Sequence, residues 1–148
     1  MNVYDGISLQ VIWFDQDVIE VVFACSNGCF AGSAYIYLSH DDLSGLVETL
    51  QGFPAHDADT RGTELGTLNP EFAGGGVRMN FYCRNARGSC VVEVKLRTGA
   101  CKELGEVESV ALKIPIEAAG VDSFLKQVAK MTIAIGTGAA LPMVSDFS

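Results

Sequence analysis

Hydrophobic and polar residues alternate over most of this chain, and a period of two residues predicts β-strands. The clearest case is segment 77–84, in which Val, Met, Phe and Cys fall on one face and Arg, Asn, Tyr and Arg on the other. Applied along the chain, the same pattern predicts strands over 8–13, 18–25, 30–38, 63–68, 77–84, 90–97 and 107–114.

Two further segments show the i, i+3, i+4, i+7 spacing of a helix with one buried face. Ser39 fits the N-cap of the first, and Asp42, three residues on, fits the return bond of a capping box. Gly52 and Pro54 end that helix, and the second covers about 117–131. The apolar positions are Leu43, Leu46, Val47 and Leu50 in the first helix and Val121, Phe124, Leu125 and Val128 in the second.

The resulting order is β-β-β-α, a short strand over 63–68, and then β-β-β-α, which predicts an α+β fold. Links of hairpin length favour antiparallel pairing, so we expect a mostly antiparallel sheet of six to seven strands with both helices packed on it. Residues 1–131 form the single predicted domain, and Gly74–Gly76 is interpreted as a flexible connection. The apolar C-terminal tail, 132–148, is expected to pack on the domain or on a partner, including a second copy in a homodimer.

The dipeptide Asn27-Gly28 predicts a tight hairpin turn between two cysteines. A two-residue loop pairs Cys25 with Phe30 and places Phe30 on the buried face, whereas a three-residue loop pairs Cys25 with Cys29 and turns Phe30 outward. The apolar pattern favours the two-residue loop, so the two cysteines point to opposite faces. We expect structural roles for them, with a disulfide and a metal site as the less favoured alternatives.

Three of the five cysteines remain, and neither Cys90 nor Cys101 has a histidine beside it in the sequence. Cys83 is predicted to lie in the core, and Cys90 and Cys101 at strand edges or in loops. The N-terminus lacks the features of a signal peptide, and no stretch reaches the ~18 apolar residues of a membrane helix. We therefore expect free thiols in a cytoplasmic protein that has no membrane partner.

Charge is distributed unevenly along the 148 residues, whose net charge is −8. Residues 1–60 carry nine acidic residues and no Lys or Arg, and 61–148 carry nine acidic and all ten basic residues. An acidic half disfavours nucleic acid and suits a basic protein partner, although an acidic balance also serves solubility alone. Trp13, Tyr35 and Tyr37 either form an aromatic patch on the same surface or pack under a helix or the tail. The predicted binding residues are Asp15, Asp17, Glu20, Tyr35, Tyr37, Asp41 and Asp42.

Motifs for catalysis or cofactor binding are not found in the sequence. It has no nucleophile elbow, phosphate-binding loop or dinucleotide fingerprint. The stretch His56-Asp57-Ala58-Asp59-Thr60 offers alternating oxygen ligands for calcium, but in a calcium loop that begins at Asp57 the closing Glu is replaced by Leu68, so a solvated loop is favoured. We therefore predict no catalytic residue, no metal and no cofactor. The alternative is a small-ligand-binding or enzymatic domain with a pocket on the sheet face, using His40, His56, Tyr82 and Arg84.

Six basic residues fall within 78–102, and some of them share the outward face of one hairpin with Tyr82. Such a face can bind single-stranded nucleic acid, but Glu93 interrupts it. Ion pairing across neighbouring strands is the favoured interpretation.

The segment VRMNFYCRNARGSCVVEVKLR resembles one found in small uncharacterised bacterial proteins close to the WapI-type immunity proteins of polymorphic toxin systems. The helix that starts near Asp42-Leu43 and the closing helix with Phe124-Leu125 are similar too, so the resemblance spans 7–130. Such proteins often carry Gly-His where this chain has Gly88-Ser89. The resemblance implies a compact, non-catalytic cytosolic protein that neutralises a toxin, here a basic toxin domain, by binding it. It brings no defined contact residues.

Overall fold

The computed structural model describes residues 5–99 and 106–145. Within them the chain forms eight strands and two helices, and the fold class predicted from the sequence, α+β with antiparallel strands, is confirmed. The elements are β1 (Gly6–Phe14), β2 (Val18–Ser26), β3 (Ala31–Ser39), α1 (Asp42–Leu50), β4 (Thr60–Gly66), β5 (Gly76–Cys83), β6 (Ser89–Arg97), β7 (Ser109–Glu117), α2 (Ala118–Lys130) and β8 (Gly138–Pro142).

The strands lie in two antiparallel sheets of four strands each, rather than in one continuous sheet. Sheet A has the order β3-β2-β1-β8 and sheet B the order β4-β5-β6-β7. Consecutive strands pair as neighbours because short turns join them. Strand β8 falls within the tail predicted for 132–148 and pairs with β1, from Gly6 opposite Pro142 to Gln10 opposite Gly138. Dimerisation through this tail stays a prediction.

One hydrophobic core joins both sheets and both helices. Each strand contributes its inward side chains, such as Phe23 from β2 and Phe81 from β5, which are fully buried. Helix α1 contacts β3 of sheet A and β4 of sheet B, and α2 contacts β8 of sheet A and β7 of sheet B. The helices therefore connect the two sheets through their apolar faces, the spacing of which follows the helical period.

The turn between β2 and β3 is longer than the predicted two-residue loop. Ser26 pairs with Ala31, so that the loop contains four residues, and the Phe30 side chain is 65% exposed instead of buried. The Asn27 side chain accounts for the difference, because its Oδ1 accepts hydrogen bonds from the backbone N–H groups of Cys29 and Phe30, both at 2.9 Å. Compared with the prediction, the register between β2 and β3 is shifted by two residues. A shift of two residues leaves the same side chains on the buried faces of both strands.

Cysteine burial differs in part from the sequence prediction. Cys25 is buried and Cys29 exposed, and both are free thiols. Cys83 is only half-buried because the pairing of β4 with β5 stops one residue earlier, at Thr60 opposite Tyr82. Cys90, predicted at an edge, is buried, since β7 continues beside it. Cys101 lies outside the described residues.

Helix α1 starts later than the capping box predicted. Ser39 is the last residue of β3, and Asp41 occupies the N-cap position without a side-chain cap bond. One of the two hydrogen bonds of a capping box is nevertheless present. The Asp42 carboxylate oxygen Oδ2 accepts a hydrogen bond of 2.8 Å from the backbone N–H of Ser39. Asp42 therefore ties the end of β3 to the first turn of the helix.

The segment Gly74–Gly76 packs closely against the edge strand β3, which differs from the flexible connection predicted. The Gly75 N–H donates a 2.8 Å hydrogen bond to the Tyr35 carbonyl oxygen. A Cβ atom at Gly74 would lie 2.6 Å from the Tyr37 ring, and one at Gly75 would lie 2.6 Å from the Arg97 carbonyl oxygen. Glycine is required here because any side chain would collide with its neighbours.

Candidate functional site

The outer face of sheet A carries a row of side chains that runs across three neighbouring strands. Trp13 on β1 lies opposite Glu20 on β2, and Glu20 lies opposite Tyr37 on β3. One pair further along, Val22 lies opposite Tyr35. These five residues are called the aromatic–acidic face below.

Three large rings on this face are exposed to solvent. Trp13 is 46% exposed, Tyr35 61% and Tyr37 48%, while Glu20 and Val22 between them are half-buried. Tryptophan and tyrosine combine a large apolar surface with a polar tip, and both are enriched at protein interfaces.

A β-bulge directs Trp13 toward solvent. Val11 pairs with Val21 and is buried, and in a regular strand Trp13, two residues later, would point to that same inner face. The register instead shifts between Val11 and Trp13, so that Trp13 faces Glu20 on the outer side. A bulge of this kind re-aims a side chain by inserting one extra residue into one strand.

The Tyr37 ring is held in place on two sides. Glu20 lies beside its hydroxyl, and interaction with this carboxylate raises the pKa of Tyr37. Gly74 of the loop between β4 and β5 approaches the ring. The ring therefore loses little conformational freedom on contact with another molecule.

Carboxylates surround one end of the aromatic–acidic face. Asp15 lies in the turn between β1 and β2, and its Oδ1 accepts hydrogen bonds of 2.8 Å from the N–H groups of Asp17 and Val18. These two bonds lower the pKa of Asp15 below its ordinary value. Asp41 and Asp42 follow β3, the last residue of which pairs with Val18.

His40 connects the two acidic segments. His40 Nε2 lies 3.0 Å from the Asp15 carbonyl oxygen, across the end of the sheet. We call Asp15, Asp17, Asp41 and Asp42 the acidic rim.

All seven residues predicted as binding residues thus lie on or beside the outer face of sheet A. Asp15, Asp17, Asp41 and Asp42 form the rim, and Glu20, Tyr35 and Tyr37 belong to the face itself. Trp13, the aromatic candidate for the same surface, also lies on this face, and Val22, which was not among the predicted binding residues, lies between Gln10 and Tyr35.

The residues of the alternative hypothesis do not share one pocket. Tyr82 and Arg84 line a depression of about 300 Å³ on the outer face of sheet B, together with Lys113. His56 lines a separate cleft of about 190 Å³ beside Cys83. His40, the remaining candidate, contacts the acidic rim at the end of sheet A.

The largest of these clefts, about 380 Å³, contains none of the four residues and lies where Lys95 and Ser109 meet the loop that carries Pro70. Arg97 borders it, but Arg97 is 3% exposed and its guanidinium donates to the carbonyl oxygens of Thr67 and Thr98.

The loop weighed as a calcium site uses its central carboxylate for a different contact. Asp59 accepts from the Arg61 guanidinium at 2.8 Å and from the Ala55 N–H at 2.8 Å. Both bonds lower the pKa of Asp59, and the bond from Arg61 has the larger effect. Across 5–99 and 106–145, no group of three or more His, Cys, Asp or Glu side chains is arranged to hold a metal ion.

The outer face of sheet B differs in charge from that of sheet A. Arg78 lies between Glu64 and Lys95 in the strand register, and Glu93 lies opposite Lys113. Opposite charges on neighbouring strands are therefore interspersed on sheet B, whereas the strands of sheet A contain no Lys or Arg.

Comparison with known proteins gives no match: no family model matches the sequence, and neither curated proteins nor solved structures yield a similar chain. In the part of the chain that the structure describes, neither helix has the length and apolar character needed to cross a bilayer.

Proposed function

We propose that this chain is a protein-binding module that docks a basic partner on the aromatic–acidic face and its acidic rim. The observation that carries the proposal is the row Trp13–Glu20–Tyr37, in which a carboxylate stands between two exposed rings. A row of this kind suits an Arg or Lys side chain, because the carboxylate attracts the cation and the rings offer cation–π contact.

The surroundings of the row favour the same type of partner. Asp15, Asp17, Asp41 and Asp42 add negative charge at one end, and the first 60 residues contain no Lys or Arg to offset it. Complementary charge steers a basic protein toward this side of the molecule and raises its association rate. The aromatic rings then supply the apolar contact from which most binding energy at interfaces comes.

The class of partner that we propose is a basic toxin domain, with this chain acting in the cytoplasm as its immunity protein. Support comes from the resemblance of 77–97 and of both helices to WapI-type immunity proteins, together with the charge of the proposed docking face. An immunity protein needs a preformed surface, and the fixed Tyr37 ring fits that need.

The docking face can be tested without knowing the partner beforehand. A photo-crosslinking phenylalanine derivative is placed at Tyr35, 61% exposed, and in a matched control at Phe72, an equally exposed ring (60%) in the loop between β4 and β5. We expect a protein adduct from position 35 in the native host and none from position 72. Equal adducts from both positions, or an acidic protein at position 35, contradict the proposal.

The captured protein is then purified and titrated against variants. Trp13→Ala or Glu20→Gln should weaken its affinity by about 30-fold, the effect of losing an interface hot spot, and Phe72→Ala by less than about twofold. Raising the salt concentration should slow association. An affinity that Trp13→Ala leaves unchanged contradicts the assignment of the face.

The immunity role has a separate readout. Co-expression with the captured protein should restore the growth of cells that it otherwise inhibits, and the Trp13→Ala variant should rescue them poorly. If the captured protein is not toxic, the immunity role fails while the docking face stands.

A further inference from the structure

Two cysteines face each other at the end of the hairpin formed by β5 and β6. Cys83 and Cys90 are direct partners in the strand register, and their Sγ atoms lie 3.9 Å apart. The Arg84 N–H donates a 2.9 Å hydrogen bond to the Ser89 carbonyl oxygen, which makes Arg84 and Ser89 a hydrogen-bonded pair. Because the two pair types alternate in an antiparallel ladder, Cys83 and Cys90 form a non-hydrogen-bonded pair.

The pair type decides whether the sulfurs can join. Partners of this type have Cα atoms about 4.5 Å apart, within the 4.4–6.8 Å that disulfides usually span. Bond formation requires the Sγ atoms to approach from 3.9 Å to about 2.05 Å. Rotation of the two side chains supplies that movement without a change of register.

The two thiols differ in their access to solvent. Cys83 is half-buried and lines an open cleft of about 190 Å³ with His56 and Asp57, so a small solute can reach its sulfur. Cys90 is 1% exposed. Burial and the neighbouring Cys83 thiol raise the pKa of Cys90 to about 12, which makes it a poor first nucleophile.

We propose that Cys83 and Cys90 are a reversible disulfide site that exchanges with small-molecule disulfides. The Cys83 thiol loses its proton and attacks one sulfur of the small disulfide. A bond forms between Cys83 and that sulfur, the small S–S bond breaks, and one small thiol leaves with the proton. Cys90 then loses its proton and attacks Cys83 Sγ, which forms the Cys83–Cys90 bond and releases the second small thiol. The two protein thiols are oxidised by two electrons, and the small disulfide is reduced to two thiols.

A disulfide between Cys83 and Cys90 would cross-link the fold at a defined place. It would join β5 to β6 at the end where β4 no longer pairs, beside the start of α2, whose Ala118 N–H donates to the Gly88 carbonyl oxygen at 3.3 Å. The site lies on sheet B, away from the aromatic–acidic face on sheet A. Its test is therefore independent of the proposed function.

The test uses the full chain with glutathione disulfide as the probe, followed by acid quenching, alkylation and trypsin. Cleavage after Arg84 and Arg87 separates the two cysteines into peptides 79–84 and 88–95. We expect these peptides to be joined by a disulfide, reversibly with dithiothreitol, in wild type and equally in a Cys101→Ser variant. Cys25 and Cys29 should not appear in the joined species.

Two further measurements examine the order of attack. In the reduced protein, alkylation of Cys83 should be at least about tenfold faster than that of Cys90, because reactivity follows exposure and thiolate content. In a Cys90→Ala variant, glutathione should remain attached to Cys83. The proposal is overturned if wild type accumulates the same glutathione adduct without joining the two peptides, or if Cys83 pairs with Cys101.

Discussion

Replacement of Phe81 by alanine tests how the region after α1 is anchored to sheet B. Phe81 is fully buried in β5, and the Phe53 ring, which follows α1, meets it edge to face with centroids 5.9 Å apart and planes at 64°. The Arg61 guanidinium lies 5.7 Å from the centroid of the Phe53 ring. These three side chains fasten the segment after the helix to the sheet.

The expected loss follows from burial and from the ring pair. Truncation of a fully buried phenylalanine costs about 3–5 kcal/mol in free energy of unfolding, because a cavity adds to the lost transfer energy. An edge-to-face pair contributes about 1 kcal/mol beyond burial. Each single variant, Phe81→Ala or Phe53→Ala, removes the ring pair, and the double variant removes it once. The double variant should therefore cost about 1 kcal/mol less than the sum of the two single variants.

Urea unfolding measures these quantities with two probes. Trp13, the only tryptophan, reports sheet A by fluorescence, and far-ultraviolet circular dichroism reports the whole fold. For Phe81→Ala we expect the midpoint to fall by about 2 M, given a slope near 2 kcal/mol per M, and the two probes to give the same midpoint. If Phe81→Ala does not fold, Phe81→Leu replaces it as the test, because leucine removes less buried volume and should destabilise the fold less.

The packing argument is refuted if Phe81→Ala costs less than about 1.5 kcal/mol, well below the range for a buried ring, or if the two single effects add without coupling. Separate midpoints for the two probes would show that sheet A and sheet B unfold independently, contrary to a shared core.

Three other perturbations address separate parts of the fold. Leu141 in β8 is fully buried, so Leu141→Ala should lower the free energy of unfolding by about 2–5 kcal/mol. Ile135 is 69% exposed, so the control Ile135→Ala should change it by less than about 0.5 kcal/mol, and equal effects of the two variants in urea titration would contradict the burial of β8. Asp59→Asn should lower the melting temperature at pH 7 and make it depend less on pH in acid. The pKa of Asp59 is lowered in the folded state, so its contribution to stability is complete above the ordinary pKa of 3.8 and is lost as pH falls through the folded pKa. Plots of melting temperature against pH that run parallel for wild type and variant from pH 7 to pH 2.5 would contradict this. Gly74→Ala should displace the Tyr37 ring and change its nuclear magnetic resonance shifts, since the added Cβ would lie 2.6 Å from that ring; an unchanged ring spectrum would contradict the close approach.

Alternating hydrophobicity located most strands because each sheet buries one face. Segment 18–25 differs from β2 by one residue at its C-terminal end, and segment 77–84 differs from β5 by one residue at each end. The number of sheets was not predictable in the same way, because alternation shows that a strand has a buried face without showing which strands it joins. Strand β8 was missed because Gly138–Pro142 is short and has no polar residues to alternate with.

The candidate site was predictable in composition but not in geometry. The acidic bias of the first 60 residues and the alternation through Tyr35 and Tyr37 are visible in the sequence. The same alternation would place Trp13 on the buried face with Val11, two residues earlier. Trp13 is exposed only because of the bulge between them. A bulge is fixed by pairing with the neighbouring strand, and the sequence of β1 alone contains no sign of it.

The contrast between the two sheets bears on why the chain is acidic. Hairpin turns keep β1, β2 and β3 adjacent, so the absence of Lys and Arg from the first 60 residues leaves these three strands without basic side chains. Solubility requires net charge but does not require exposed rings beside it, and exposed aromatic side chains oppose solubility. Trp13 and Tyr37 lie on either side of the Glu20 carboxylate, and a β-bulge is needed to bring Trp13 to this outer face. Recognition of a basic surface explains the rings and the carboxylates together, whereas solubility explains only the carboxylates.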